Sequence, residues 1–247
     1  MRNIKLTIMY DGKDFNGWQK QPNKLNIQGT IEKVISEMTG EEIELNASGR
    51  TDAGVHSFGQ VANFKTNSKI PIDKFPIAIN SKIKKSIVIT KAEEVEERFH
   101  SRYNCKKKTY RYVIDNSEFP TPMYRYLEYH IPNKLNIEAM KKAAKYFEGE
   151  HAFKAFKSSG TSSKSSVRTI YKAEVKKAEN NRIYIELTGN GFLYNMVRII
   201  SGTLVEVGLG KIKPEEIKNI IESKDRQKAG KTLPAHGLYL MNVNYSN

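Results

Sequence analysis

Arg50, Asp52 and His56 fall within seven residues of one another, in a run that reads Ser48-Gly49-Arg50-Thr51-Asp52-Ala53-Gly54-Val55-His56-Ser57-Phe58-Gly59. The side chains offer a fixed positive charge, a carboxylate able to act as a nucleophile, and an imidazole. Three glycines in these twelve residues mean that the backbone turns tightly or lies close to something. Before the run, Ile43 and Leu45 alternate with polar residues across Glu42 to Asn46, the pattern of a half-buried strand. After it, Gln60 to Thr66 holds Val61, Ala62 and Phe64 and reads as a second strand. A polar loop pinned between structured segments is the usual geometry of a site. Asp and Gly are also common turn residues, so on chemistry alone a purely structural turn is an equal reading.

Metal chemistry is not expected. A ligand pair formed by Asp52 and His56, four residues apart, would need a helix, and Gly54 argues against one. Cys105 is the single cysteine and no HExxH pattern occurs, so neither an intramolecular disulfide nor a multi-cysteine metal site can be assembled. His56 is expected to hydrogen-bond within the loop. There is no dinucleotide fingerprint or P-loop, and no cofactor is expected.

The elements that must position the loop can be read from periodicity. Ile4, Leu6, Ile8 and Tyr10 alternate as a first strand. Ile27, Ile31, Val34, Ile35 and Met38 fall at helical spacing, with Gly40 as the stop. Pro71 to Lys82 reads as a short helix broken near Pro76, and Ile87-Val88-Ile89 as a buried strand. Tyr110, Tyr112 and Ile114 share one face of a further strand. Ile137, Met140, Ala144 and Phe147 make a helix face, with Asn136 as N-cap and Gly149 as the stop. Ser158 to Ser166 is serine-rich and is expected to be flexible. Arg168 to Lys176 and Arg182 to Leu187 are strands separated by Glu179-Asn180-Asn181. Phe192 to Leu204 is apolar and helical, Pro214 opens a short helix, and Leu238 to Val243 is a closing strand. The order of elements gives an α/β fold, divided into residues 1–104, which carry the loop, and 105–247.

The chain has 247 residues, 41 Lys and Arg against 27 Asp and Glu, and a net charge of +14. That charge points to a polyanionic partner. Met1-Arg2-Asn3-Ile4-Lys5 opens no apolar core of signal-peptide length and no apolar run approaches a membrane span, so no membrane is expected and the cytoplasm is the expected compartment.

Gly49-Arg50-Thr51-Asp52-Ala53-Gly54-Val55-His56 resembles the signature of the tRNA pseudouridine synthase A family along all eight positions. The resemblance extends to Tyr10-Asp11-Gly12, Gly17-Trp18-Gln19, Gln28-Gly29-Thr30, Arg98-Phe99-His100 and Lys108-Thr109-Tyr110-Arg111-Tyr112. It ends with Phe192-Leu193-Tyr194-Asn195-Met196-Val197-Arg198 and Pro234-Ala235-His236-Gly237-Leu238-Tyr239-Leu240. It implies two similar mixed-sheet α/β domains whose sheets meet, with a basic cleft between them. It also implies an isomerase that turns uridine into pseudouridine on the 3′ side of the anticodon stem-loop of tRNA, working as a homodimer without cofactor or metal. By the same resemblance Asp52 is the catalytic aspartate, Tyr110 the active-site tyrosine that stacks on uracil, and Arg198 the partner of the catalytic carboxylate. Arg50, two residues before Asp52, is placed to enter the space left by a displaced base. Tyr112 is read as core. A non-catalytic basic RNA-binding module is the alternative, and an intact Arg50-Thr51-Asp52 with Tyr110 and Arg198 argues against it. A nuclease would want several clustered acidic metal ligands near the loop, where Asp52 stands alone.

Overall fold

The structure, a computed structural model, describes residues 1–160 and 165–246; part of the serine-rich stretch expected to be flexible, residues 161–164, lies outside them. The chain forms two compact units, residues 1–106 with 239–247, and residues 107–238. Each combines a mixed sheet with helices, which makes the fold α/β.

The first unit begins with β1 (Arg2–Tyr10), followed by α1 (Ile27–Thr39), β2 (Asn46–Ala47), β3 (His56–Thr66), α2 (Lys74–Asn80) and β4 (Ile87–Val95). Strand β1 lies between β3 and β4, antiparallel to both. Its alternating Ile4, Leu6 and Ile8 are fully buried, with Ile27, Ile31 and Ile35 of α1 in the same core. The Asn26 side chain caps α1 by accepting from the Gly29 amide, and Gly40 ends the helix at φ +72°.

Two elements differ from their sequence pattern. Ile43 and Leu45 are buried as expected, yet only Asn46–Ala47 is strand. Their amides donate instead to α1 side chains: Ile43 to Ser36 Oγ at 3.2 Å and Leu45 to Glu32 Oε1 at 3.0 Å. In α2, Pro76 does not break the helix. It sits in the first turn, where amides have no intrahelical acceptor.

The second unit holds β5 (Lys107–Asp115), β6 (Tyr129–His130), α3 (Ile137–Lys145), β7 (Gly149–Ala152), β8 (Val167–Lys177), β9 (Arg182–Gly189), α4 (Met196–Gly208) and α5 (Glu216–Ser223). Strands β5, β9, β8 and β7 run antiparallel in that order, and β6 joins the outside of β5 in parallel. The β8–β9 hairpin closes through an Arg182 amide to Glu179 carbonyl bond of 3.2 Å. Asn180 and Asn181 both have positive φ, +54° and +57°, as a two-residue turn matched to strand twist requires. Helix α3 is capped by Asn136, but it ends at Lys145, and Gly149, at φ +104°, opens β7 instead of stopping the helix. Helix α4 starts later than its apolar run suggests, at Met196, because Asn195 turns left-handed at φ +62°. Of the described residues, no helix is long and apolar enough to cross a membrane.

The closing strand β10 (Leu238–Asn244) corrects the expected division at 104/105. From Tyr239 onward the chain belongs to the first unit. It pairs in parallel with β3, setting Tyr239 opposite His56 and Leu240 opposite Ser57. The Tyr245 hydroxyl donates to the Ser101 carbonyl at 2.8 Å. Order along the chain does not carry this return, since a parallel partner can be any distance away in sequence.

Within the second unit, α4 is approached by the segment that follows α5. A Cβ on Gly202 would lie 1.9 Å from the Lys231 carbonyl oxygen, and one on Gly230 would lie 2.6 Å from the Thr203 amide. The Gly230 amide donates to Thr203 Oγ1 at 2.9 Å. This contact fixes Leu233, whose carbonyl is used below. Gly202→Ala is therefore expected to destabilise the protein by about 1–3 kcal/mol through overpacking, read as a lower urea midpoint at unchanged slope. An unaltered midpoint would show that the two backbones do not abut.

Candidate active site

The Asp52 loop is held on both sides of the carboxylate. On one side, the Tyr10 hydroxyl at the end of β1 lies 2.8 Å from Thr51 Oγ1, and both residues are buried. Burial pushes the Tyr10 phenol up to about 12, partly offset by hydrogen bonds from Thr51, Gln60 and Ser57, so it stays protonated at neutral pH. The Trp18 amide donates to the Thr51 carbonyl at 3.0 Å. Gly17 permits that approach: it lies at φ +83°, and a Cβ there would fall 2.6 Å from the same carbonyl oxygen.

On the other side, the Val55 amide donates to the Asp52 carbonyl at 3.1 Å, closing a turn whose third residue, Gly54, takes φ +80°. A Cβ on Gly12 would come within 2.0 Å of the Val55 carbonyl oxygen. The start of the loop is held by Gln60, which is fully buried. Its Nε2 donates to the Gly49 carbonyl at 2.9 Å, while its Oε1 accepts from Ser48 Oγ at 2.7 Å and from the Val61 amide at 3.1 Å. Asp52 itself is half-buried, and Arg50 is exposed. The backbone is thus fixed on both sides of Asp52.

His56 opens β3 and is buried. Its Nδ1 accepts from the Gly12 amide at 3.1 Å and lies 3.1 Å from Asp11 Oδ1. The ring stacks on Tyr239 at 4.8 Å, and Phe58 stacks on Tyr239 at 5.6 Å. His56 therefore ties the loop to the segment after β1.

Tyr110 and Arg198 belong to the second unit. Tyr110 stands in β5 opposite Leu187 of β9 and is 8% exposed. Phe192 meets its ring edge-on, with centroids 5.3 Å apart and planes at 83°. Tyr112, on the same face, is core as read from the sequence: it is fully buried, and burial raises its phenol well above the ordinary value. Its hydroxyl donates to the Pro234 carbonyl at 2.7 Å.

Arg198 lies half-buried in α4 among apolar neighbours. Its Nε donates to the Leu233 carbonyl at 2.6 Å and its Nη1 to Asn195 Oδ1 at 2.7 Å. Its guanidinium plane is set by two neutral acceptors in different segments. Sequence reading gave no holding role to Tyr10, Thr51, Gln60, Asn195 or Leu233. None bears a charge, and periodicity reports which face a residue lies on, not which polar atoms it meets.

Comparison with known proteins bears on this arrangement. A family model described as tRNA pseudouridine synthase matches residues 6–104 and 143–246. The chain is 53% identical over 245 residues to tRNA pseudouridine synthase A of Acetivibrio thermocellus, spanning 99% of this chain and 100% of that one. It is 54% identical over 245 residues to tRNA pseudouridine synthase A of Caldicellulosiruptor bescii, again spanning 99% and 100%. A solved chain from a Cbf5-Nop10-Gar1 complex aligns with a TM-score of 0.36 at 13% identity, over 96% of this chain and 57% of that one.

The grip on Thr51 can be tested apart from activity. Thr51→Val keeps the shape and removes the hydroxyl partner of Tyr10. Since Gln60 and Ser57 also reach that phenol, the expected loss is that of one net hydrogen bond, about 1 kcal/mol in urea denaturation. Equal stability of Thr51→Val and wild type would remove this bond from the account of the loop.

Proposed function

This chain belongs to the tRNA pseudouridine synthase A family, and we propose that it converts uridine to pseudouridine in tRNA, on the 3′ side of the anticodon stem-loop, with Asp52 as the nucleophile. The reaction breaks the bond from uracil N1 to ribose C1′, turns the base, and joins C5 to C1′. The C5 proton is lost and N1 regains one, so product and substrate are isomers and no oxidant or energy source enters. One fragment must be held while the other reorients, and a carboxylate adduct, at uracil C6 or ribose C1′, does this by splitting a hard step into two easier ones.

The observation that carries the proposal is the two-sided hold on the backbone at Asp52. Gly49 and Thr51 before it and Val55 after it are all fixed, and Asp52 itself is half-buried. A nucleophile held in this way loses little freedom on reaching a reactive geometry. Tyr110, from the second unit, is assigned the uracil-stacking face and a proton-transfer hydroxyl. Arg198 is assigned the stabilisation of carboxylate charge, a role supported by its fixed plane. Exposed Arg50 is assigned to the space vacated when the target nucleotide leaves its stem, offsetting part of an unstacking cost of a few kcal/mol. The net charge of +14 favours the phosphate contacts that tRNA binding needs. The protein is further proposed to act as a homodimer.

Asp52→Asn tests the nucleophile. The amide is nearly isosteric, and the loop is held by other residues, so folding should be unaffected. Turnover is expected to fall ~10⁴-fold or more, about 5 kcal/mol or more of barrier. Affinity for tRNA, set by many phosphate contacts, should be equal or slightly higher. Retained turnover in Asp52→Asn would sink the mechanism.

A further inference from the structure

We propose that Asn195 is a positioning residue for Arg198: it fixes the guanidinium plane that the reaction uses, and its own setting is locked to Ser158. The inference rests on the functional reading above. Nothing in the periodicity of the chain marks Asn195, whose side chain meets Arg198 and Ser158.

Three observations within the second unit carry it. First, Asn195 is one of five non-glycine residues with positive φ among the described residues, at φ +62° and ψ +4°. After glycine, Asn is among the residue types that adopt this conformation most readily. It stands at the N-cap position of α4, yet its side chain makes no capping bond to the helix amides. The usual use of an Asn at that position is therefore not the one made here.

Second, both ends of the amide are engaged in a defined sense. Oδ1 accepts from Arg198 Nη1 at 2.7 Å, and Nδ2 donates to Ser158 Oγ at 2.9 Å. The Ser158 amide also donates to the Tyr194 carbonyl at 3.2 Å, so the neighbouring backbone is tied to the same residue. An amide anchored at its donor end has its acceptor end aimed, and here the acceptor meets one nitrogen of the guanidinium.

Third, the other restraint on Arg198 comes from elsewhere. Nε donates to the Leu233 carbonyl at 2.6 Å, and the Leu233 amide returns to the Arg198 carbonyl at 3.3 Å. One acceptor alone leaves a guanidinium free to swing about that contact. Two acceptors at different nitrogens define its plane, because the five N–H groups form a rigid fork. Both acceptors are neutral and set direction.

The experiment is a double-variant cycle on pseudouridine formation in tRNA. Asn195→Gly keeps the left-handed backbone and deletes both side-chain contacts. It is expected to lower kcat by roughly a hundredfold, as misplacement of a reacting group does, with KM for tRNA within about twofold and the thermal midpoint nearly unchanged. In an Arg198→Ala background, adding Asn195→Gly should cause little further loss, because the group it positions is gone. Asn195→Asp retains an acceptor for Nη1 and should be at least about tenfold more active than Asn195→Gly. This comparison holds even if the glycine variant is less stable. Wild-type kcat in Asn195→Gly, the same fold loss in both backgrounds, or equal loss in Asn195→Asp and Asn195→Gly would each overturn the assignment. Absence of product from the wild type would overturn the functional reading and this inference with it, whereas an active wild type with additive losses would overturn this inference alone.

Discussion

The contact on which the first unit depends is a backbone against a backbone. Residues 51 to 55 lie so close to the segment after β1 that a Cβ on Gly12 would reach to 2.0 Å of the Val55 carbonyl oxygen, and one on Gly17 to 2.6 Å of the Thr51 carbonyl oxygen. Such an approach leaves the two buried strands β1 and β3 and the loop leading into β3 with one mutual placement. The Tyr10–Thr51 hydroxyl pair and the Gly12–His56 bond then add direction. The hold on Thr51, Val55 and His56 positions the backbone on both sides of Asp52. The polar atoms that anchor the loop are satisfied, which is the condition for burying them without a large penalty.

In the second unit the corresponding constraint is the carbonyl pair Leu233–Pro234. Arg198 Nε uses the first and the Tyr112 hydroxyl uses the second. The pair is held in place because Gly230 and Gly202 let its segment lie directly on α4. A cation in an apolar helix and a phenol in the core are thus both supplied by one short stretch of backbone. The two groups it offers are uncharged backbone carbonyls, yet one of them helps set where the guanidinium points.

Much of this was legible in the sequence. Alternation of Ile4, Leu6 and Ile8 places β1, and helical spacing from Ile27 with Gly40 beyond places α1, because one buried face imposes its period directly. The Asn180-Asn181 turn is equally plain. The eight-residue run around Asp52 resembles the family's signature, and the further matches at 108–112 and 192–198 supply Tyr110 and Arg198 as candidates. What was not legible is long-range or compensatory. The return of β10 to the first unit depends on pairing between residues far apart in the chain. Ile43 and Leu45 have strand periodicity, but their amides find Ser36 and Glu32 before any strand partner. The apolar run from Phe192 continues as helix only after Asn195, whose left-handed turn no hydrophobic pattern reports. Gln60 reads as an ordinary polar strand residue, though its side chain holds the start of the loop.

The central claim is that this protein makes pseudouridine in tRNA, and the most direct measurement is nucleotide-resolution mapping of pseudouridine in unmodified tRNA transcripts incubated with the purified protein. New pseudouridine is expected, confined to the 3′ side of the anticodon stem-loop. Transcripts that gain no pseudouridine at any position would contradict it.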